Sequence, residues 1–403
     1  MRIVQINCAY PNGSTGKIVS DIHDYLCKNN HESFVIFGFS DRKIKERNVI
    51  KAAPEVIRKM QSARARVTGF PYGGCIIGTY RIIRILDKLS PDVVHLHCIN
   101  GYMVNIYKLL CYLKENNIPT ILTLHAEFMY TSGCSYAVDC MKWVSGCYDC
   151  KRIGLEHPDS FFFDRTSYEW KKMNDSFKGF QKLVICPVSD WVKKRAMISP
   201  FFKGKEIETV LNGLNTAIFK FREQQGNRKR FHITAEQKVV IHVTPDFYGV
   251  MKGGKHVLEM AKRFEGENVT FFIVGAKEDT AFSLKNVRVI EHTSNQTELA
   301  QFYSMADVCL LTSVRETFSM VCAESLCCGT PIVGFKAGAP ETISIPEYSE
   351  FVEQGDDDKL EAKLREFLLV NWNKSDISRK ACEIYNRTRM CGEYFNKYEK
   401  IVK

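Results

Sequence analysis

Residues 315–324 read Arg315-Glu316-Thr317-Phe318-Ser319-Met320-Val321-Cys322-Ala323-Glu324, and they follow the apolar, strand-like run Val308-Cys309-Leu310-Leu311. The interval between Glu316 and Glu324 corresponds to about two helical turns. A helix that begins near Phe318 would direct its first backbone N–H groups toward an anion. Glu316 would then lie in the loop before the helix and Glu324 within it. Two carboxylates around a helix start favour a ligand with hydroxyls at both ends and a diphosphate between them.

Strand-like and helix-like segments alternate on both sides of this stretch, which is typical of parallel sheets covered by helices. The predicted strands of the first half are Ile3–Asn7, Ser33–Phe37, Val93–Leu96 and Thr120–Leu124. Those of the second half are Val239–Val243, Thr270–Val274, Val287–Ile290, Val308–Leu311 and Pro331–Gly334. The sequence therefore predicts the α/β class, with two Rossmann-like doubly wound domains and a ligand site in the cleft that they face.

The domain boundaries follow from breaks in this alternation. We expect an N-terminal domain over residues 1–188 and a linker over residues 189–210, where prolines and charges interrupt the pattern. A C-terminal domain over residues 211–375 would bind the nucleotide part of the ligand. A last helical segment over residues 376–403 would pack back on the first domain.

The composition is that of a globular protein. The 403 residues are 45% hydrophobic, enough for two cores. There is no apolar run of transmembrane length, and no signal-peptide core precedes the first strand, so we expect a cytoplasmic protein. For the 16 cysteines we therefore expect reduced thiols or metal ligands, not disulfides.

The net charge of +10 is concentrated in residues 41–88, which contain twelve Lys or Arg and four Asp or Glu. One interpretation is an ordinary solvated surface. The other is contact with an anionic membrane, because the basic residues alternate with apolar residues at helical spacing: Val56, Ile57, Met60, Ala63 and Val67. Nucleic acid is a less suitable partner, since no nucleic-acid-binding motif accompanies the charge.

Four further residues, at three places in the chain, carry chemistry in such a fold. Thr15 and Gly16 lie in a loop after the first strand, where glycine allows a phosphate to approach the backbone. His125 ends the strand Thr120–Leu124, where its ring could meet a sugar hydroxyl or serve only a structural role. Lys252 precedes two glycines and a predicted helix, which suits a point charge on a diphosphate, although an exposed loop lysine is the alternative.

With these motifs, nearly the whole chain resembles the family 4 retaining glycosyltransferases of the GT-B fold. The resemblance rests on the E-x7-E pair and on a set of corroborating positions: Thr15-Gly16, His125, Lys252, Leu211–Asn215 and Gly338–Glu341. Two positions depart from the family pattern. Phe247 replaces an arginine expected five residues before Lys252, and Asn215 replaces an aspartate. The first departure removes one positive charge from the expected diphosphate site.

The resemblance implies a role for each site residue. Glu324 would hold the ribose hydroxyls, Glu316 the donor hexose, and His125 the transferred sugar. The diphosphate would face the backbone amides of Phe318, Ser319 and Met320. Lys252, Gly16 and Thr15 would lie near it.

A cysteine-rich insertion over residues 133–151 has the spacing Cys134-x5-Cys140-x6-Cys147-x2-Cys150. Four thiolates suit tetrahedral zinc, and the closely spaced second pair is a good chelator. A structural zinc ion, reduced thiols and a labile disulfide are the three alternatives. No metal is required for catalysis in the family that the chain resembles.

The resemblance predicts retaining transfer of a hexose from a nucleoside-diphosphate sugar to a lipid-linked saccharide acceptor. The basic segment suits such an acceptor, and surface polysaccharide biosynthesis at the inner face of the membrane is the expected setting, as for capsule or exopolysaccharide. Two other functions remain as alternatives: a nucleotide-sugar epimerase on the same fold, and a non-catalytic nucleotide-sugar-binding protein.

Overall fold

The computed structural model describes residues 1–131, 133–154, 160–223, 225–276, 284–291 and 293–403. The chain divides into two units. Unit 1 comprises Met1–Leu211 together with Thr388–Lys403, and unit 2 comprises Asn212–Arg387.

Unit 1 is built on a parallel sheet that has seven strands within the described residues. The strands are β1 (Arg2–Ala9), β2 (Glu32–Phe39), β3 (Val49–Lys51), β4 (Val93–Leu96), β5 (Thr120–Leu124), β6 (Leu183–Pro187) and β7 (Glu206–Ile207), in the order β3-β2-β1-β4-β5-β6-β7. The helices are α1 (Gly13–Lys28), α2 (Glu55–Thr68), α3 (Ile76–Leu89), α4 (Ile106–Glu115), α5 (Thr166–Phe177) and α6 (Asp190–Ile198). Short 3₁₀ helices cover Glu127–Met129, Lys142–Val144 and Pro200–Phe202.

Unit 2 has a parallel sheet of six strands among its described residues. They are β8 (Lys238–Val243), β9 (Val269–Val274), β10 (Val287–Ile290), β11 (Val308–Leu311), β12 (Ile332–Phe335) and β13 (Ser349–Val352), in the order β10-β9-β8-β11-β12-β13. The helices are α7 (Gln225–Arg230), α8 (Gly254–Arg263), α9 (Gln296–Met305), α10 (Met320–Cys327), α11 (Pro340–Ile343), α12 (Asp357–Leu369) and α13 (Lys374–Ile384), with a 3₁₀ helix at Pro346–Tyr348. A last helix, α14 (Arg387–Val402), follows.

The predicted α/β class with two Rossmann-like doubly wound domains is confirmed. Strands β4, β5, β9, β11 and β12 are buried along their whole length. Helices cover both faces of a parallel sheet, so its strands read as continuous apolar runs, and that pattern is why these strands were recognisable in the sequence.

The expected linker over residues 189–210 instead contains regular structure of unit 1. The hydroxyl of Ser189 accepts a hydrogen bond from Val192 N and caps α6. Pro200 begins a 3₁₀ helix, where its missing N–H costs nothing. Strand β7 then pairs with β6. The polar residues and prolines that suggested a linker therefore mark the starts of short elements.

The C-terminal segment is also divided differently from the expected 376–403. Helix α13 begins at Lys374 and lies in unit 2, whereas residues from Thr388 onward belong to unit 1. Tyr394 and Tyr398 of α14 are buried in a core cluster with Ile3 of β1. Packing of these aromatic side chains, which a short sequence window does not reveal, places the helix with unit 1.

Asp356, the first residue of the acidic run 356–358, precedes a helix. Its side chain accepts a hydrogen bond from Lys359 N at 3.1 Å and caps α12. Acidic residues at a helix start complement the helix dipole, so this run is explained by local structure. Among the helices of the described residues, none combines the length and apolarity needed to cross a bilayer.

Candidate active site

In unit 2, Lys252 and Glu316 form an ion pair although 64 positions separate them. Lys252 Nζ lies 2.8 Å from Glu316 Oε1, with side-chain exposures of 27% and 14%. The loop between β11 and α10 positions the carboxylate, because Glu316 N donates to Ala337 O and Glu316 O accepts from Ala339 N. The Lys252 loop is held against the same segment, since the Thr312 hydroxyl donates to Lys252 O.

This pair brings together two of the residues that the sequence singled out. An ammonium group has three N–H donors, so Lys252 can hold Glu316 and still contact an anionic ligand group. A partly buried carboxylate and a lysine in contact can also orient one another, which reduces the entropy lost when a ligand binds. The site thus combines a fixed acceptor with a fixed positive charge.

The start of α10 lies close to the predicted place. The helix begins at Met320, and Ser319 caps it by accepting a hydrogen bond from Cys322 N at 3.3 Å. Ser319 has φ 74°, in the left-handed region that non-glycine residues rarely adopt. Phe318 is buried and packs edge-to-face with Tyr385 at 6.2 Å between ring centroids. The buried Phe318 ring holds the chain at the point where the helix amides begin.

Glu324 lies within α10 and is partly buried. Its Oε2 accepts a hydrogen bond from the hydroxyl of Tyr303 on α9 at 3.2 Å. Burial raises the pKa of Tyr303 well above its usual value, so this hydroxyl stays protonated and remains a donor. The structure therefore separates the glutamates by environment: Glu316 contacts a cation, and Glu324 contacts a neutral hydroxyl.

Phe247, which departs from the family pattern, belongs to the hydrophobic core of unit 2. It is 3% exposed, and its ring meets that of His242 edge-on at 5.9 Å. The start of α8 fits closely against it, since a Cβ at Gly254 would lie 2.2 Å from Phe247 O. The aromatic ring therefore fills core volume at the position where the family pattern has a charged side chain.

In unit 1, Thr15 and Gly16 lie in the first turn of α1, which begins at Gly13, and not in the predicted loop. A Cβ at Gly16 would lie 2.9 Å from the carbonyl carbon of Pro11, so only glycine allows the loop to close this tightly. The Thr15 hydroxyl accepts a hydrogen bond from Asn7 Nδ2 at 3.3 Å. This hydrogen bond connects the first turn of α1 to β1.

His125, which follows β5, belongs to a cluster of three histidines that the sequence analysis did not predict. The rings of His97 and His125 are stacked, with centroids 5.4 Å apart and an 18° interplanar angle. Burial lowers the pKa of His125 to about 3, so its ring is neutral near pH 7. The H-x-H spacing of His95, in β4, and His97, directly after β4, is the signal that could have revealed them, because alternate residues of an extended chain share one face.

A zinc ion at Cys134, Cys140, Cys147 and Cys150 stays a prediction. All four lie in the described ranges, and within those ranges no group of three or more His, Cys, Asp or Glu residues could hold a metal ion. Cys134 is buried in the core, whereas the others are partly exposed. Burial, and then the neighbouring Cys150, Cys147 and Cys140, raise the pKa of Cys134 above its usual value. All 16 cysteines are described, and none forms a disulfide.

Comparison with known proteins gives consistent matches. Residues 223–389 match the family "Glycosyl transferases group 1". N-acetyl-alpha-D-glucosaminyl L-malate synthase of Bacillus anthracis is 27% identical over 363 residues, or 88% of this chain and 84% of that protein. Two solved structures share the fold. Sucrose-phosphate synthase of Thermosynechococcus elongatus has a TM-score of 0.71 at 14% identity, covering 100% of this chain and 99% of that one. Anabaena HepE in complex with UDP and glucose has a TM-score of 0.63 at 13% identity, covering 99% of each chain.

These matches agree with the two doubly wound units and with the position of the E-x7-E segment inside the matched region. They support a transferase and not the epimerase alternative, since the curated relative is named for a product of sugar transfer. Residues 223–389 thus match the group 1 glycosyltransferases, and the chain as a whole has the GT-B fold.

Proposed function

We propose that this protein is a retaining glycosyltransferase that moves a hexose from a UDP-sugar to a hydroxyl of a lipid-linked saccharide acceptor. The observation that carries the proposal is the Lys252–Glu316 contact in the loop that leads into α10. The UDP preference is taken from the fold relative solved with UDP and glucose.

Each residue has a part in the proposed reaction. As the sugar leaves, negative charge grows on the diphosphate, and Lys252 and the first amides of α10 offer fixed positive charge to it. Glu316 accepts hydrogen bonds from the hexose hydroxyls and orients the sugar. Glu324 accepts from the ribose hydroxyls. Gly16 and Thr15 contribute amides for the phosphates, and His125 binds the transferred sugar as a neutral ring.

The acceptor proposal rests on an exposed apolar and basic surface of unit 1. Within α2, every residue of which is described, Ala65 alone is buried, so Val56, Met60 and Val67 project into solvent beside the exposed Lys59 and Arg64. A helix that turns apolar and basic side chains outward suits the surface of an anionic membrane. This arrangement favours the membrane interpretation of the basic segment over the solvated one.

Three consecutive aromatic residues extend this surface. Phe161, Phe162 and Phe163 are all exposed, Phe162 by 70%. They adjoin α2, because Phe161 N donates to Arg66 O at 2.8 Å. Aromatic rings are favoured at the level of lipid headgroups. We call the exposed residues of α2 together with Phe161–Phe163 the membrane-facing surface.

We expect UDP to raise the melting temperature of the protein more than GDP, ADP or CDP do. A ligand at 100 times its Kd stabilises by about 2.7 kcal/mol, which a thermal-shift screen detects readily. Glu324→Ala should weaken UDP binding by roughly 10- to 100-fold, because a hydrogen bond to a charged group is lost. The matched control is Glu347→Ala, at an exposed position of unit 2. Equal responses to all four nucleotides, or unchanged affinity in Glu324→Ala, would refute the proposed nucleotide site.

We expect the protein to bind vesicles made of equal parts phosphatidylglycerol and phosphatidylcholine, and to bind less as salt rises. A triple variant with serine at Phe161, Phe162 and Phe163 should have a vesicle partition coefficient at least about tenfold lower, because the apolar area of the three rings is no longer buried in the membrane. Flotation measures this directly. The control replaces Met197 and Ile198, exposed apolar residues of α6, with serine. Equal losses in both variants would mean that the membrane-facing surface is not the contact.

L-malate, a small acid, is a rival acceptor, because the relative from Bacillus anthracis is named N-acetyl-alpha-D-glucosaminyl L-malate synthase. Assays that offer L-malate and a lipid-linked saccharide in parallel with UDP-glucose and UDP-N-acetylglucosamine separate the two. A non-catalytic binding protein would bind UDP and neither transfer nor hydrolyse the sugar.

A further inference from the structure

A chain of buried polar side chains in unit 1 leads from α1 to His125. Gln5 of β1 donates through Nε2 to Val19 O of α1 at 3.2 Å. Gln5 Oε1 lies 3.3 Å from His97 Nε2, and His97 Nδ1 lies 3.1 Å from His125 Nε2. Gln5 is 0% and His97 1% exposed, so water does not compete for these bonds. Each contact therefore has to match a donor with an acceptor.

The first contact sets the orientation of the Gln5 amide. The Val19 carbonyl can only accept, so the amide NH₂ of Gln5 must face it and the amide oxygen must face His97. An amide oxygen also only accepts. The proton of His97 is therefore on Nε2, an assignment made from the network and not from hydrogen positions.

The charge of His97 determines which ring is the donor in the contact between His97 and His125. Burial lowers its pKa well below the usual value, and the neighbouring His95 and His125 act in the same direction. The ring of His95 lies 3.8 Å from that of His97, and His95 itself contacts Tyr398 and Thr123 through its two nitrogens. A neutral imidazole has one proton, so His97 Nδ1 is an acceptor and His125 Nε2 must be the donor.

We infer that Gln5 and His97 are positioning residues that hold His125 as the Nε2–H tautomer with its ring parallel to that of His97. His125 Nδ1 then carries no proton. A sugar hydroxyl that reached Nδ1 would have to donate its hydrogen to the ring, so His125 would serve as an acceptor and not as an acid. This consequence for catalysis rests on the proposed function, whereas the tautomer itself does not.

The tautomer is measured by long-range ¹H–¹⁵N correlation spectra of the ligand-free protein with ¹⁵N-labelled histidines. Signals of His125 and His97 are assigned by their loss in His125→Asn and His97→Asn. We expect both rings to be neutral Nε2–H tautomers near pH 7. In Gln5→Met, which removes the acceptor but keeps an unbranched side chain, we expect His97 and then His125 to populate both tautomers. An Nδ1–H form of His125 in the wild type, or no change in Gln5→Met, overturns the inference.

Two substitutions at one position separate positioning from packing. In His97→Asn, the amide oxygen can replace Nδ1 as the acceptor for His125, whereas His97→Leu removes the acceptor. We expect His97→Leu to lower kcat about tenfold, with the KM for the UDP-sugar nearly unchanged, and His97→Asn to keep most of the activity. The probe is turnover of UDP-glucose or UDP-N-acetylglucosamine, whichever the wild type uses faster.

The outcomes distinguish this inference from the proposed function. If the two variants lose equal activity, or if His97→Asn loses more, His97 serves packing and the inference is wrong. If the wild type turns over neither donor, the proposed function fails for these donors, and the tautomer spectra alone decide the inference.

Discussion

Replacing Glu316 with alanine is expected to lower kcat/KM for sugar transfer by about 10²- to 10³-fold. Its carboxylate is held 2.8 Å from Lys252 and is 14% exposed. The substitution removes the acceptor that would orient the hexose, and it leaves the ammonium of Lys252 without this partner. Glu316→Gln keeps the size but not the charge, so we expect an intermediate loss. Steady-state kinetics with the donor found by the nucleotide screen measure the effect.

The control for this prediction is Glu353→Gln. Glu353 also pairs with a lysine of unit 2, Lys336, but both side chains are exposed. We expect its activity to match the wild type, because an exposed pair contributes little. Turnover by Glu316→Ala at the wild-type rate, with UDP binding unchanged, would reject Glu316 as a residue of the reaction. Weaker UDP binding with unchanged kcat would instead place Glu316 at the nucleotide.

Replacing Arg195 with methionine is expected to lower the free energy of unfolding of unit 1 by about 3–5 kcal/mol. Arg195 Nε donates to Glu127 Oε1 at 2.6 Å, and the Glu127 side chain is fully buried. The Arg195 guanidinium also lies about 5 Å from the ring centroids of Trp143 and Trp191. Methionine keeps part of the packing but leaves a buried carboxylate without its cation, which is the main cost.

This buried pair supports the cysteine-rich insertion, since Glu127 also accepts from the Tyr130 hydroxyl and from Ala137 N. The comparison is Glu32→Gln, which breaks an exposed pair with Arg2 in the same unit and should cost less than about 1 kcal/mol. Urea unfolding followed by tryptophan fluorescence reports on unit 1 through Trp143, Trp170 and Trp191 and on unit 2 through Trp372, and UDP binding reports separately on unit 2. A loss below about 1 kcal/mol in Arg195→Met would contradict the prediction.

Local patterns were sufficient for most strands, but not for β3, β6, β7 and β13, and they were sufficient for the start of α10. Strands β4, β5 and β11 have the predicted bounds, because their apolar runs are buried on both faces. Strand β10 also has the predicted bounds, although Arg288 is exposed. The E-x7-E spacing placed Glu316 in a loop and Glu324 in a helix, as found. Both predictions depend on neighbours within about ten residues.

Long-range packing decided the rest. The Lys252–Glu316 ion pair joins loops 64 positions apart, and the contact from His97 to Gln5 spans 92 positions. The burial of Phe247, the contact between His97 and His125 and the capping of α6 by Ser189 likewise had no strong local signal.

The sequence by itself thus determined the class of fold, the position of most strands along the chain, and the segment that carries the two glutamates. It did so because hydrophobic periodicity and helix caps are local properties of the chain. Only the tertiary structure decided the partners of the charged and polar side chains: Lys252 for Glu316, Tyr303 for Glu324 and His97 for His125. Such partners are chosen by the register and stacking of whole elements, and they determine which nitrogen of a ring carries its proton.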